Sequence, residues 1–234
     1  MAGERANGLF FAGDLGQRIF QQPFSWKAAG ADVRGRSTTL KINYRTSHQI
    51  RFQADRLLDP QIADVDGNVE SRKGAVSLFN GPRPDIKRYS SPEKESQGVA
   101  DWLRQLASQG LQPQEIALFV RSAAQIDRAK TAAALAGINH RVLDEHVEIA
   151  PSLLSVSTMH LAKGLEFRAV GVMACDDEVI PLQERIEAVA DESDLEDVYS
   201  TERHLLYVAC TRARDHLLVT STEPASEFLE DMQR

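Results

Sequence analysis

Every position from Ala169 to Ala174 is apolar or glycine (Ala-Val-Gly-Val-Met-Ala), and so is Ile116–Val120 (Ile-Ala-Leu-Phe-Val). A strand with one wet face alternates between apolar and polar. A strand without alternation is covered on both faces, as strands of parallel sheets are. Helical patterns stand between such runs. Ser91-Pro92-Glu93 opens one helix to about Gln109, with Val99, Trp102, Leu103 and Leu106 on one face, and Ala123 to Ala136 forms another that Gly137 ends. This alternation predicts an α/β fold: a doubly wound, mainly parallel sheet with helices on both faces.

The remaining elements follow the same logic. Leu9–Ala12, Ser37–Ile42, Ala75–Phe79, His140–Leu143, the residues ending at Val156, and His216–Thr220 read as strands. Thr46 or Ser47 caps a helix to about Leu58, Ser200 or Thr201 caps one to about Arg214, and a short helix starts near Ala225. Asp59 to Lys73 reads as loop.

Charge divides the chain. The formal net charge is −7, yet Asp176 to Asp197 alone holds ten acidic residues and one arginine, leaving +2 elsewhere (−7 + 9). That run is expected to be a solvated loop or loosely packed helix. No apolar run approaches the ~20 residues of a membrane span. Two cysteines without a Cys-x-x-Cys, and six histidines without ligand spacing, indicate neither a disulfide framework nor a structural metal. A cytoplasmic protein is the expectation.

The richest polar stretch is Ser155 to Phe167 (Ser-Val-Ser-Thr-Met-His-Leu-Ala-Lys-Gly-Leu-Glu-Phe). Gly164 allows a turn and close approach to an anion, and Glu166 can accept from a sugar hydroxyl. A polar loop after a buried strand is where open α/β sheets bind ligands. Tyr44 and Arg45 stand at a strand-to-helix junction, an aromatic suited to a purine face beside a guanidinium suited to phosphate. Phe24 and Trp26 are either stacking platforms for bases or the cap of a hydrophobic edge. Leu205, Val208, Ala209 and Arg212 share a helical stripe, so Arg212 is carried toward the interior or a domain face, where an anion or an internal carboxylate must meet it.

Four stretches together resemble the UvrD/Rep/PcrA-type superfamily 1 DNA helicases. Gly13-Asp14-…-Gln17-Arg18-Ile19-Phe20 resembles motif III and Leu40-…-Asn43-Tyr44-Arg45-Thr46 resembles motif IV. Thr158-…-His160-…-Lys163-Gly164-Leu165-Glu166-Phe167 resembles motif V, and Leu206-Tyr207-Val208-Ala209-…-Thr211-Arg212-Ala213 motif VI. The resemblance implies a RecA-like fold of the P-loop NTPase type. Residues 1–36 would be the tail of a first motor lobe, and 37–234 the second RecA-like lobe. It further implies Gln17 as γ-phosphate sensor, Arg45 and Arg212 as arginine fingers, and Tyr44, Glu166 and Gly164 at the adenine, ribose and phosphate side of ATP with Mg²⁺. Thr158, His160, Phe20 and Trp26 would meet single-stranded DNA. The two guanidiniums are expected to converge on one open spot, with Arg212 clear of any internal carboxylate.

The chain also departs from the family pattern. It holds no Gly-x-x-x-x-Gly-Lys-Ser/Thr and no Mg²⁺-holding Asp-Glu pair after an apolar strand. Only about ten residues, Arg141 to Pro151, stand where Rep-type relatives carry a large helical subdomain. Phe20 replaces a common Tyr. The chain is therefore expected to be the C-terminal part of an ATP-dependent, 3′–5′ helicase or translocase, inactive without an N-terminal Walker A lobe. A non-catalytic module that binds DNA or protein is the alternative.

Overall fold

The computed structural model describes residues 25, 27, 28, 30, 38, 40–63, 69–71, 74, 76–146 and 148–234. The expected strand at Leu9–Ala12 and the candidate residues Gln17, Phe20 and Trp26 lie outside them.

Ten strands are described: β1 Ile42–Asn43, β2 Gln61–Ala63, β3 Val69–Ser71, β4 Val76–Ser77, β5 Asp85–Tyr89, β6 Ile116–Val120, β7 His140–Val142, β8 Leu154–Thr158, β9 Phe167–Val172 and β10 Ala213–Thr222. The α-helices are α1 His48–Ala54, α2 Pro92–Ser108, α3 Ile126–Leu135, α4 Gln183–Glu187, α5 Glu192–Cys210 and α6 Glu227–Gln233. Six strands form one sheet in the order β5-β10-β9-β6-β8-β7, and every pair in it is parallel.

The apolar strands are buried as their composition demands. Along β6, Ala117 and Phe119 face a core built with α1, α5 and α6, including Ile50, Leu205, Val208 and Phe228. Ile116, Leu118 and Val120 face the other core, with Val99, Trp102 and Leu103 of α2 and Ala129 and Ala132 of α3. Helices thus cover both faces. Local caps agree with expectation: Ser47 accepts from the Ile50 N–H and Ser91 from the Lys94 N–H, with Pro92 in the first turn.

Several elements differ from the sequence reading. Asp59 to Lys73 is not all loop, because β2 and β3 pair as an antiparallel hairpin within it. β5 is an edge strand that the pattern concealed. The acidic run is loop and helix in about equal parts, as expected: α4 buries no residue, and the start of α5 lies within it, beginning after Asp191 rather than Ser200 or Thr201. The Asp191 side chain accepts from the Asp194 N–H, and acidic residues in a first turn face the positive end of the helix dipole. Ile180 and Val198 anchor the segment in the core. At the other end α5 stops at Cys210, so Arg212 lies in the turn before β10.

Candidate nucleotide and nucleic-acid site

The strands of the sheet run the same way, so it has an amino rim and a carboxyl rim. Thr158 ends β8 level with Val120, and the Met173 N–H bonds to the Phe119 carbonyl on the next strand. Phe167 begins β9 level with Ala213. Six residues of β9 separate these levels, roughly 20 Å at about 3.3 Å per residue. The stretch 158–166 therefore runs back along the length of the strands, from one rim of the sheet to the other. A single-rim site is not what forms; the candidate residues divide between two rims.

At the amino rim, motifs IV, V and VI meet. Arg45 donates from Nε to Glu166 Oε2 at 3.0 Å across 121 residues of sequence. Thr46 Oγ1 donates to the Thr211 carbonyl at 3.3 Å, and the Ser47 N–H to the Arg214 carbonyl at 3.1 Å. The Phe167 N–H closes the set on the Arg212 carbonyl at 3.0 Å. Tyr44 projects beside them with 68% of its surface exposed. Gly164 has φ +87°, and a Cβ there would meet nothing within 4 Å. A side chain would fit the space but not the backbone conformation, so the glycine serves the turn.

Arg212 does not face an open surface. Its residue exposure is 1%, and its guanidinium donates to backbone carbonyls: Nε to Val208 at 3.0 Å and Nη1 to Leu165 at 3.4 Å, with Nη2 on Thr211 Oγ1 at 3.3 Å. The Val208 carbonyl belongs to the last turn of α5, where the helix dipole is negative and a cation is stabilised. The stripe argument placed the residue inward correctly, but the helix end supplies part of what meets it. Nor do two unopposed cations converge, because Glu166 stands against Arg45. Their neighbourhood is nonetheless shared, since Leu165 and Glu166 are consecutive residues.

Beside this rim, Asp215 takes both arms of Arg214 (2.9 Å each) and Nε of Arg168 (2.9 Å), while Arg168 also reaches Glu115 at 3.5 Å. The Arg214 hydrogen bonds, with help from Arg168, hold the Asp215 carboxyl below its usual range.

At the carboxyl rim, Thr158 precedes the turn Met159–Ala162, which contains His160 and packs on α5. Burial pushes the His160 imidazole below its ordinary pKa, and the charges it senses are Arg121, Glu202 and Arg185. Glu202, buried on α5, takes Arg121 in a bidentate pair at 2.5 Å and also Arg185 Nη1 at 2.9 Å. Sequence reasoning missed this triad. Its members are 17 and 81 residues from Glu202 and carry no shared spacing.

No group of three or more His, Cys, Asp or Glu side chains able to hold a metal ion occurs among the described residues, and no helix there is long and apolar enough to cross a membrane.

Comparison with known proteins gives this geometry a setting. Residues 144–224 match the model of the UvrD-like helicase C-terminal domain. The chain is 38% identical over 88 residues to the Bacillus subtilis protein YjcD, a match covering 37% of this chain and 11% of that protein. To the ATP-dependent DNA helicase PcrA of Staphylococcus epidermidis it is 40% identical over 68 residues, 29% of this chain and 9% of that protein. A crystal structure of the C-terminal domain of a possible DNA helicase from Lactobacillus plantarum superposes with TM-score 0.55 at 23% identity, over 81% of this chain and 94% of that one. The last likeness is one of fold. The family stretch includes motifs V and VI but not Tyr44 and Arg45, which join the site through their contacts.

Proposed function

We propose that this chain, which carries a UvrD-like helicase C-terminal domain over residues 144–224, is the second motor lobe of an ATP-dependent, 3′–5′ DNA helicase or translocase. The observation that carries the reading is the convergence at the amino rim of Arg45, Glu166 and the Arg212 turn, from three distant parts of the sequence. ATP would be gripped there between this lobe and a Walker A lobe.

The residues present suit the nucleotide. Tyr44 offers an uncovered ring to adenine. The Arg45–Glu166 pair is solvent-exposed, with 43% and 48% of the two side chains accessible, and such pairs are worth about 0–1 kcal/mol. Nucleotide can therefore part it at little cost, Glu166 turning to ribose hydroxyls and Arg45 to the γ-phosphate. Arginines so placed neutralise charge as the phosphoryl group leaves. Arg212, as described, acts first as the clamp that fixes the Leu165–Glu166 turn; reaching phosphate requires it to leave the Val208 carbonyl. The described residues do not assemble a donor set for Mg²⁺, which would be held by the Walker A lobe.

The β1–β4 ribbon supplies a face suited to that other lobe. Leu40, Ile42, Tyr44, Val76 and Leu78 are all more than half exposed on the β1–β4 ribbon, which is parallel. Parallel ribbons are ordinarily covered on both faces. Apolar cover here would exclude water beside the adenine.

Joining the chain to a PcrA-type Walker A lobe tests the reading. DNA-stimulated ATP hydrolysis should appear in the joined protein and be lost with Arg45→Ala, and the chain alone should release no phosphate. Phosphate release by the chain alone, sensitive to Arg212→Ala, would overturn it. A joined protein that binds DNA yet never hydrolyses ATP would favour the non-catalytic module.

A further inference from the structure

A ring such as Tyr44 stacks on any nucleobase and does not by itself tell one from another. Selection needs a hydrogen-bonding group of fixed polarity at the base edge, and the turn after β4 carries one. Tyr44 directly follows β1 and Leu78 directly follows β4. The two strands pair in register as Asn43↔Ser77, and the Leu78 N–H donates to the Asn43 carbonyl at 3.1 Å. Tyr44 and Leu78 therefore stand level, 68% and 60% exposed. Asn80 lies two residues further on, at most about 7 Å of chain. The His48 N–H, on the Phe79 carbonyl at 3.0 Å, folds this turn against the one that follows Tyr44.

The polarity of the Asn80 amide is set by a chain of bonds that starts from the backbone. The Gly81 N–H can only donate, and it meets Gln49 Oε1 at 2.8 Å. Gln49 must then turn its Nε2 the other way, where it donates to Asn80 Oδ1 at 3.3 Å. An amide that gives its oxygen to a neighbour presents its NH2 elsewhere. Asn80 Nδ2 has no partner among the described residues. Close backbone approach at Gly81 makes the chain possible. A Cβ there would lie 3.0 Å from Ser47 Cβ and Oγ and 3.2 Å from the Asp215 carbonyl oxygen, so a side chain would push the Gly81 N–H away from Gln49. Asn80 is exposed, and it thus holds a donor rather than an acceptor toward solvent on the Tyr44 side of the ribbon.

We propose that Asn80 donates from Nδ2 to an acceptor ring nitrogen of the purine stacked on Tyr44, with Gln49 as the positioning residue that fixes the polarity of the Asn80 amide. This rests on reading Tyr44 as the platform for adenine. It adds selection to that site: a purine offers ring nitrogens that accept, whereas the adenine amino group can only donate and is refused by an outward NH2.

The test is nuclear magnetic resonance of the isotope-labelled full chain titrated with ATP. The Asn80 side-chain NH2 signals should move downfield with ATP and stay still with tripolyphosphate. Among the 1-, 3- and 7-deaza analogues of ATP, the one that lacks the accepted nitrogen should leave Asn80 still. It should bind about two- to ten-fold more weakly than ATP, the range for one hydrogen bond of modest net strength. The Tyr44 ring should respond to all three. Asn80→Ala should bind ATP and that analogue equally. Gln49→Glu keeps an oxygen for the Gly81 N–H but offers a second oxygen to Asn80, whose amide must then turn over. This variant should lose the discrimination as Asn80→Ala does, with Tm and the Tyr44 response retained, an effect that a merely structural Gln49 would not produce. An Asn80 signal that stays still while Tyr44 responds to ATP, equal binding of ATP and all three analogues, or unchanged discrimination in Gln49→Glu would overturn the inference alone. A Tyr44 ring that does not respond to millimolar ATP would overturn the adenine site and the inference with it.

Discussion

Glu202→Gln changes one oxygen for one nitrogen and leaves the shape of the α5 face intact. What it removes is the counter-charge of Arg121, whose side chain is 3% exposed. Both carboxylate oxygens serve Arg121, and one serves Arg185 as well. Arg185 can turn to solvent, but Arg121 cannot without opening the end of β6. Breaking a buried pair by removing one partner costs about 3–5 kcal/mol, since a charge is left uncompensated. For a domain of this size each kcal/mol lowers Tm by about 2–4 °C, so a fall of roughly 6–20 °C is expected. Urea unfolding of the purified chain should show the midpoint drop with an unchanged slope. The Arg121→Met/Glu202→Leu double variant should recover most of the loss, because an apolar pair of similar volume tolerates the same space. A single variant within about 1 kcal/mol of wild type would refute the description of a dry, bidentate pair.

Other expectations follow from burial. Arg212→Lys should cost about 1–3 kcal/mol in the isolated chain, because a lysine cannot reproduce the fork that meets Val208, Leu165 and Thr211; urea melts check it. His160 and His216 are held below the usual histidine value, chiefly by burial. Each ring is protonated more readily in the unfolded chain, so stability should fall as pH drops below about 6.5 toward the folded values, and His160→Gln/His216→Gln should flatten that fall in Tm against pH. Cys175 and Cys210 are fully buried with thiol pKa values raised by burial, Cys210 to about 12, so a disulfide reagent such as DTNB should label neither natively and both in denaturant.

The central sheet was legible because β6 and β9 are apolar at nearly every position, and only a sheet covered twice can house them. β5 was not, since Asp-Ile-Lys-Arg-Tyr sits at an edge, pairs with β10 alone and needs no continuous apolar pattern. The start of α5 was missed for a related reason. Mutual repulsion suggested loop or loosely packed helix up to Asp197, but an acidic first turn behind an aspartate cap is also how a helix begins, and that signal was present at Asp191 and Asp194. Arg212 was read inward from its stripe, yet its hydrogen bonds depend on where the helix stops, a detail that periodicity cannot supply. Arg121 and Glu202 carry no spacing or motif that sets them apart from the other charges of the chain. Their pairing is set by tertiary packing alone, so no local pattern reports it.

The division of the site between two rims has a mechanical consequence. Thr158 and Glu166 are eight positions apart, yet stand at opposite rims of the sheet because the chain between them runs back along the length of the strands. A second link runs alongside. On α5, Glu202 at the carboxyl rim and Arg212 just past the helix end are ten residues apart, about 15 Å at 1.5 Å per residue. A helix packed along its length transmits a shift at one end to the other with little deformation. The proposed strand contact at His160 and the proposed nucleotide contact at Glu166 would therefore be joined twice: by the 158–166 crossover and, through the Arg121–Glu202 pair, by α5. Only the second link is held by a buried ion pair, so loosening it separates mechanical coupling from binding at either rim.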